Sequence, residues 1–151
     1  MRLCVPLPAF VMAAGLFAAS EASACRCQDM SDEERLAKAT LVVKGRIKSV
    51  TYGVDMPTGN ADGETARVAR GDFEIENVVK GQFDEKTVQI YTGSGLGDCG
   101  RLEEFLHAAI FYEKPDFGPL EFGLTKNQIN GQTYYSSLIC DYAKYPDDHE
   151  K

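Results

Sequence analysis

Five cysteines set the tightest constraint on this 151-residue chain, because four of them lie beyond residue 24. These four are Cys25, Cys27, Cys99 and Cys140. An even number of cysteines in an exported chain predicts two disulfides, and four cysteines allow three pairings. A Cys25–Cys27 bridge would close a very tight, strained ring, whereas the long-range pairings tie residues 25–27 to the body of the domain.

The first 24 residues have the layout of a secretory signal peptide. Arg2 supplies a positive charge, residues 3–19 form an apolar run, and Ala22 and Ala24 match the A-x-A pattern of a cleavage site. Cleavage after Ala24 removes Cys4 and leaves 127 residues, a suitable size for one domain with its own core.

Two other interpretations of this leader stay open. In the first it is an uncleaved membrane anchor, although no stretch rich in Lys and Arg follows the apolar run. In the second it is a lipoprotein signal, in which Cys25 is acylated at the cleavage point. A lipoprotein usually has Leu three residues before that cysteine, where this chain has Ala22.

The charge of the chain excludes some partners. The formal net charge is −7, and it is unchanged by loss of the leader because Arg2 and Glu21 leave together. An acidic domain without a basic run argues against binding to nucleic acid or to anionic membrane surfaces. From the leader and the absence of a later apolar segment we expect a secreted protein, extracellular or periplasmic, with no membrane span after cleavage.

The remaining sequence predicts a small β-barrel. Ser31 and Glu34 form a capping box that begins a short helix over about 32–40. Strands are predicted near 40–52, with a bulge at Gly45, and then at 67–81 and 86–93. Further strands are predicted from about Phe105 and on both sides of an Asn130-Gly131 turn. Residues 53–66 are predicted to be a surface loop, and one helical turn is expected near the C terminus.

No pattern in the sequence indicates catalysis or metal binding. His107 and His149 are isolated, and pairs such as Glu103-Glu104 are typical of solvated surfaces. Cys25 and Cys27 are spaced as C-x-C, whereas thioredoxin-like redox sites use C-x-x-C. We expect no enzymatic activity, no cofactor and no metal ion of its own.

The order of several motifs resembles a known family. A C-x-C terminus and a short helix precede ATLVVKGRI, FEIENVVKG, VQIYTGSGLGDCG and EEFLHAAIFYE, and Cys140 follows. This order resembles the netrin-like (NTR) domain, and most closely the amino-terminal domain of tissue inhibitors of metalloproteinases (TIMPs). The resemblance covers residues from about Cys25 to Tyr142, and it implies a signal peptide over 1–24, a TIMP/NTR-like domain over 25–146 and a polar tail over 147–151.

The resemblance also implies a fold, a disulfide pattern and a mechanism. The fold is a five-stranded OB-type barrel with flanking helices, and the bridges are Cys25–Cys99 and Cys27–Cys140. In the inhibitors of this family, the free α-amino group and the carbonyl of the first cysteine chelate the zinc of the target protease. Here the inhibitory segment would be Cys25, Arg26 and Cys27, with Arg26 directed into the pocket beside the zinc.

Three functions follow from these observations. The first is an exported inhibitor of zinc metalloendopeptidases. The second is a non-inhibitory NTR module that binds an extracytoplasmic protein through residues 53–66 or the barrel face. The third is an envelope protein anchored by a lipid on Cys25.

Overall fold

The computed structural model describes residues 25–60, 62–94, 97–114 and 116–146. The predicted leader over 1–24 and the predicted tail over 147–151 lie outside the described residues. The described elements, in chain order, are α1 (Asp32–Lys38), β1 (Leu41–Pro57), β2 (Thr65–Lys80), β3 (Thr87–Thr92), α2 (Leu102–Ile110), β4 (Leu120–Ile129), β5 (Gln132–Ser136) and β6 (Ala143–Lys144). The prediction of a mainly β chain is confirmed.

Five of the strands pair in a closed ring. β1 pairs with β2, β2 with β3, β3 with β5, β5 with β4, and β4 again with β1. The β3–β5 pair is parallel and the other pairs are antiparallel. The short strand β6 extends the sheet beside β4. The connection from β3 to β4 contains α2, and this helix packs against β1 of the ring.

The core lies between the inner faces of these strands and α2. Phe73, Phe105 and Phe122 are fully buried, and the Phe122 ring contacts the other two at centroid distances of 5.8 and 5.5 Å. Helix α2 supplies Phe105 and Ala108, which are one turn apart and face the same side. Each fully buried aromatic or aliphatic side chain contributes roughly 1.5–3 kcal/mol through removal of apolar surface from water.

The predicted capping box begins α1. The Ser31 hydroxyl accepts a hydrogen bond from the Glu34 amide at 3.2 Å, and the Glu34 carboxylate accepts one from the Ser31 amide at 2.8 Å. The helix ends at Lys38, two residues before the predicted end. Within the described residues, neither helix has the length and apolar character needed to cross a membrane.

The predicted Asn130-Gly131 turn joins β4 to β5. Both residues have positive φ, 52° for Asn130 and 78° for Gly131. Two consecutive positive φ values are the requirement of a type I′ turn, and Asn-Gly meets it with the least strain. This turn fixes the register in which Ile129 pairs with Gln132.

The predicted bulge at Gly45 is confirmed, because the β1–β2 register shifts between Lys44 and Gly45. A Cβ atom at this position would overlap the Glu74 carbonyl oxygen on β2. We therefore expect Gly45→Ala to lower the free energy of unfolding by about 2–3 kcal/mol, as for other overpacking substitutions. Urea unfolding measures the change. Lys48→Ala, at an exposed position of the same strand, is the control, and equal stabilities of the two variants would contradict the expectation.

The strand predicted from about Phe105 is wrong, because residues 102–110 form helix α2. The run Phe105–Ile110 is apolar except for His107, so it lacks a clear period, and the aromatic residues after it favoured a strand. In the structure only Phe105 and Ala108 of the helix are buried, while Leu106 and Ile110 are 47% and 73% exposed. The helical period is real, but exposed apolar side chains hide it in the sequence.

The surface loop predicted over 53–66 is also wrong in half of its length, because residues 53–57 and 65–66 belong to strands. β1 continues to Pro57 and β2 begins at Thr65, with Val54 paired to Val68 and Met56 to Ala66. The connection is therefore only residues 58–64. This hairpin has mostly exposed or half-buried side chains, so it shows no alternation of buried and exposed positions that would identify strands.

The helical turn expected near the C terminus is absent from the described residues. After a turn closed by the Asp141 amide, which donates to the Leu138 carbonyl at 2.9 Å, the chain enters β6. There Ala143 pairs with Phe122, and this pairing supplies the backbone partners that a helical turn would otherwise provide.

Candidate functional site

Two disulfides hold the segment Cys25–Cys27 against the ring. Cys25 is bonded to Cys99 and Cys27 to Cys140, with Cα–Cα distances of 5.4 and 5.2 Å. These are the two pairs that the resemblance implies. Both cysteines of the segment are half-buried, whereas Arg26 between them is exposed. The segment is therefore fixed at both ends and open in the middle.

The loop that carries Cys99 is organised by one carboxylate. Asp98 accepts hydrogen bonds from the Ser94 amide at 2.5 Å, the Ser94 hydroxyl at 2.9 Å and the Gly100 amide at 3.2 Å. Cys99 has a φ of 59°, and a Cβ atom at Gly100 would overlap the backbone of Gly93. The loop thus closes tightly on itself, which gives the Cys25 bridge a defined anchor.

The loop that carries Cys140 is bonded directly to the Cys99 loop. The Ile139 amide donates to the Cys99 carbonyl at 3.0 Å. The Asp141 carboxylate accepts from the Leu138 amide at 2.7 Å, which closes the second loop. The two bridges of the Cys25–Cys27 segment therefore end on a single hydrogen-bonded unit.

Arg101 joins this unit to the rest of the molecule. Its side chain is 4% exposed and lies between the two loops and α2. It donates from Nε to the Leu138 carbonyl at 2.7 Å and from Nη2 to the Asp141 carbonyl at 2.8 Å. From Nη1 it donates to the Glu104 carboxylate at 2.5 Å and to the Tyr145 hydroxyl at 2.9 Å.

Tyr145, which accepts a hydrogen bond from Arg101, has a shifted pKa. Burial raises the pKa of the Tyr145 hydroxyl, and the hydrogen bond that this hydroxyl donates to Glu104 raises it further, while Arg101 acts in the opposite direction. Tyr145 is therefore neutral at physiological pH and available as a hydrogen-bond donor. The guanidinium of Arg101 is paired with a carboxylate, which is the condition under which a buried cation is tolerated.

Helix α1 holds the other side of the segment. Arg35 donates from Nε to the Met30 carbonyl at 3.3 Å and from Nη1 to the Cys140 carbonyl at 3.2 Å. One side chain thus contacts both the chain that follows Cys27 and the residue to which Cys27 is bonded. The segment is positioned by two bridges and by α1.

A cleft of about 280 Å³ lies next to this site. It is lined on one side by Met56 and Val68 of the β1–β2 hairpin, and on the other by Asp98 and Leu138 of the two loops. Leu138 is 39% exposed and thus offers an apolar contact at the surface. The long hairpin and the loops to which Cys25 and Cys27 are bonded therefore share one surface.

The chemistry open to this site follows from its atoms. The sulfurs of Cys25 and Cys27 are used in bridges, so neither is a thiol nucleophile or a metal ligand. Within the described ranges, no group of three or more His, Cys, Asp or Glu residues is placed to hold a metal ion. What the bridges fix in space is the backbone of Cys25 and Arg26, and the side chain of Arg26 is exposed.

The isolated His107 is on the exposed side of α2, where its ring contacts Phe111 and Phe117 at centroid distances of 4.7 and 6.0 Å. Glu104 binds Arg101, so the Glu103-Glu104 pair is not simply a solvated surface. Sequence reasoning missed Asp98 and Arg101. A charged residue on each side of Cys99-Gly100 was the available signal, but nothing in the sequence identifies their partners.

No protein-family model matches this chain, and neither does any curated protein sequence.

Proposed function

We propose that this protein is an exported inhibitor of zinc metalloendopeptidases that acts through the amino terminus of Cys25. In a chain that begins at Cys25, the α-amino nitrogen and the carbonyl oxygen of this residue would displace the water from the open coordination position of the target's zinc. The observation that carries the proposal is the pair of disulfides that fixes Cys25–Cys27 on one rigid unit.

The rigidity of the segment is what would make such binding tight. A flexible terminus loses conformational freedom when it enters a protease, and this loss weakens binding. Here the bridges to Cys99 and Cys140, the bond between their loops and the contacts of Arg35 remove that freedom before binding. The same bridges support an oxidising, extracytoplasmic location, since disulfides persist in such compartments.

The proposed fold is the OB-type barrel of the TIMP and NTR families. Its support is the closed order of the five paired strands, with one parallel pair and a helix between β3 and β4. An OB-type barrel is a five-stranded Greek-key barrel, and this pairing order fits that description.

Arg26 restricts the class of target. It lies between the two bridged cysteines, so it would enter the pocket beside the zinc if Cys25 binds the metal. Burial of an unpaired guanidinium costs several kcal/mol, so a dry apolar pocket would reject it. The proposed target therefore has a carboxylate in that pocket, or a pocket that stays open to water.

Substitution of Arg26 tests this restriction. We expect Arg26→Thr to weaken inhibition of a protease with an acidic pocket about tenfold, equivalent to about 1.4 kcal/mol, and to improve inhibition of proteases with apolar pockets. Inhibition constants against one protease of each kind measure the change. Lys48→Thr, at an exposed position of β1, serves as the control. Equal constants for Arg26→Thr and the unaltered chain on both proteases would exclude Arg26 from the pocket.

The second candidate is a non-inhibitory module that binds an extracytoplasmic protein through the β1–β2 hairpin. The observation that favours it is the length of this hairpin, whose strands run to Pro57 and from Thr65 with largely exposed side chains. Such a partner would need no metal centre. Capture of a metal-free partner by the hairpin, with no dependence on the terminus, would favour this function.

The mature terminus is the decisive test of the proposal. Intact-mass measurement and terminal sequencing of the exported protein, before and after reduction, are expected to give an unmodified chain that begins at Cys25 and contains two bridges. A different first residue, or an acyl group on Cys25, would overturn the proposal, because neither species has the free amine next to the Cys25–Cys99 bridge.

A further inference from the structure

A cleft of about 320 Å³ lies between α2, the start of β4 and the chain after β6, and we name it the α2 cleft. Three aromatic rings line it: His107, Phe117 and Tyr145. Ala108 and Leu120 form its apolar floor and are 3% and 1% exposed. Its volume falls at the lower end of the range of small-molecule sites.

Two carboxylates lie at the edge of the α2 cleft, and they differ in their partners. Glu104 accepts hydrogen bonds from Arg101 and from the Tyr145 hydroxyl, so its charge is compensated. Within the described residues, Glu103 has no ion pair or hydrogen bond and is exposed. The cleft therefore has one carboxylate, that of Glu103, without a cationic partner.

Contacts between cations and aromatic rings already occur beside this cleft. The Lys114 ammonium lies over the Phe111 ring at 4.7 Å, and Phe111 stacks on Phe117 at a centroid distance of 5.2 Å. The Arg101 guanidinium lies 5.8 Å from the centroid of the Phe122 ring, which Tyr145 contacts edge-on at 6.2 Å. The rings of this region thus already contact cations.

The balance of rings and acceptors selects the type of cation. A primary ammonium has three donors, each of which needs an acceptor when it leaves water. The carboxylate acceptors of the α2 cleft, Glu103 and the Oε1 atom of Glu104, lie at its edge, so a primary ammonium that sits over the apolar floor leaves donors unpaired. A quaternary ammonium needs no acceptors and gains from aromatic rings, an apolar floor and one nearby negative charge.

We infer that the α2 cleft binds a quaternary ammonium group of the choline type. The inference is independent of the inhibitory mechanism, since no residue of the Cys25–Cys27 segment lines the cleft. Because the carboxylate of Glu103 has no cationic partner, the ligand is a free ammonium compound rather than the phosphocholine head group of a lipid, whose phosphate the carboxylates repel.

Backbone amide shifts of the isotope-labelled full chain, titrated with choline, test this inference. We expect saturable shifts at Ala108 and Leu120 with a Kd of about 1 mM or lower. Dimethylbutanol, in which carbon replaces the charged nitrogen, is expected to bind about tenfold more weakly, since it has the shape without the charge. Ethanolamine and phosphocholine are both expected to bind more weakly than choline.

Two matched variants distinguish binding in the cleft from a general effect of the protein's charge. Glu103→Gln is expected to weaken choline binding about fivefold. Glu113→Gln makes the same change at an exposed residue outside the cleft and is expected to leave binding unchanged. Thermal unfolding of both variants, followed by circular dichroism, checks that each is folded.

Four results would overturn the inference. They are absence of any shift at tens of millimolar choline, equal binding of dimethylbutanol, tighter binding of ethanolamine or phosphocholine, and unchanged binding by Glu103→Gln. The third result would assign the cleft to a primary amine or to a phosphate-bearing head group instead.

Discussion

Joint replacement of Cys27 and Cys140 by serine is expected to lower the free energy of unfolding by about 4 kcal/mol. The two residues are 113 positions apart in sequence, but the intact Cys25–Cys99 bridge already shortens the loop between them to about 40 residues. The second bridge therefore restricts the unfolded chain less than its sequence separation suggests. Its expected contribution is still a large fraction of the total free energy of unfolding of a domain.

Urea unfolding of the double serine variant and the unaltered protein, both without reductant, measures this difference. The chain has no tryptophan and seven tyrosines. Unfolding is therefore followed by tyrosine emission and, in parallel, by far-ultraviolet circular dichroism. Joint replacement of Cys25 and Cys99 is the matched control for the loss of one bridge. A decrease below about 1 kcal/mol in the Cys27 and Cys140 variant would show that its bridge adds little restriction.

Arg101→Met is expected to lower the free energy of unfolding by about 2–4 kcal/mol. The substitution keeps an unbranched, flexible side chain, although a shorter one, and removes every side-chain donor. The carbonyls of Leu138 and Asp141 then lose a charged partner, and each such bond contributes about 1.5–3 kcal/mol. Glu104 is 35% exposed and regains water, so its loss of a partner adds little.

Two further variants make this prediction specific. Arg101→Lys keeps the charge but not the fork that reaches several acceptors at once, so an intermediate loss is expected. Arg67→Met changes an exposed arginine of β2 and is expected to alter stability by less than about 0.5 kcal/mol. Equal effects of Arg101→Met and Arg67→Met in urea unfolding would contradict the role assigned to Arg101.

Local sequence signals predicted the parts of the fold that depend on neighbouring residues. The Ser31–Glu34 capping box, the Asn130-Gly131 turn and the bulge at Gly45 each require particular residues within a few positions. Each of these features is present in the structure. Their physical causes are local hydrogen bonds, positive φ and the absence of a Cβ atom.

The errors occur in elements that bury few of their side chains. Helix α2 buries Phe105 and Ala108 and exposes Leu106 and Ile110, so the apolar run indicated a buried strand. The β1–β2 hairpin extends over residues where both faces are largely exposed, so its polar composition indicated a loop. In both cases the pairing or packing partner, rather than composition, decides the structure.

The site was predictable only in part. The even number of cysteines beyond residue 24 predicted two bridges but left their pairing open. The predicted pairing came from the resemblance to the TIMP family. The network around Arg101 joins residues that are 3–44 positions apart, so no local pattern indicates it. The exposure of Arg26 follows from its place between two bridged, half-buried cysteines.

The central claim is that the free amine of Cys25 is the inhibitory group, and a single extra residue tests it. Zinc metalloendopeptidases are titrated with a chain that begins at Cys25 and with one that has Ala before it. We predict stoichiometric inhibition by the first chain and inhibition at least about a hundredfold weaker by the second, since an amide nitrogen is not a zinc ligand. Both chains keep the two bridges and are expected to unfold at the same temperature. Equal inhibition by the two chains, or none by either, would contradict the claim.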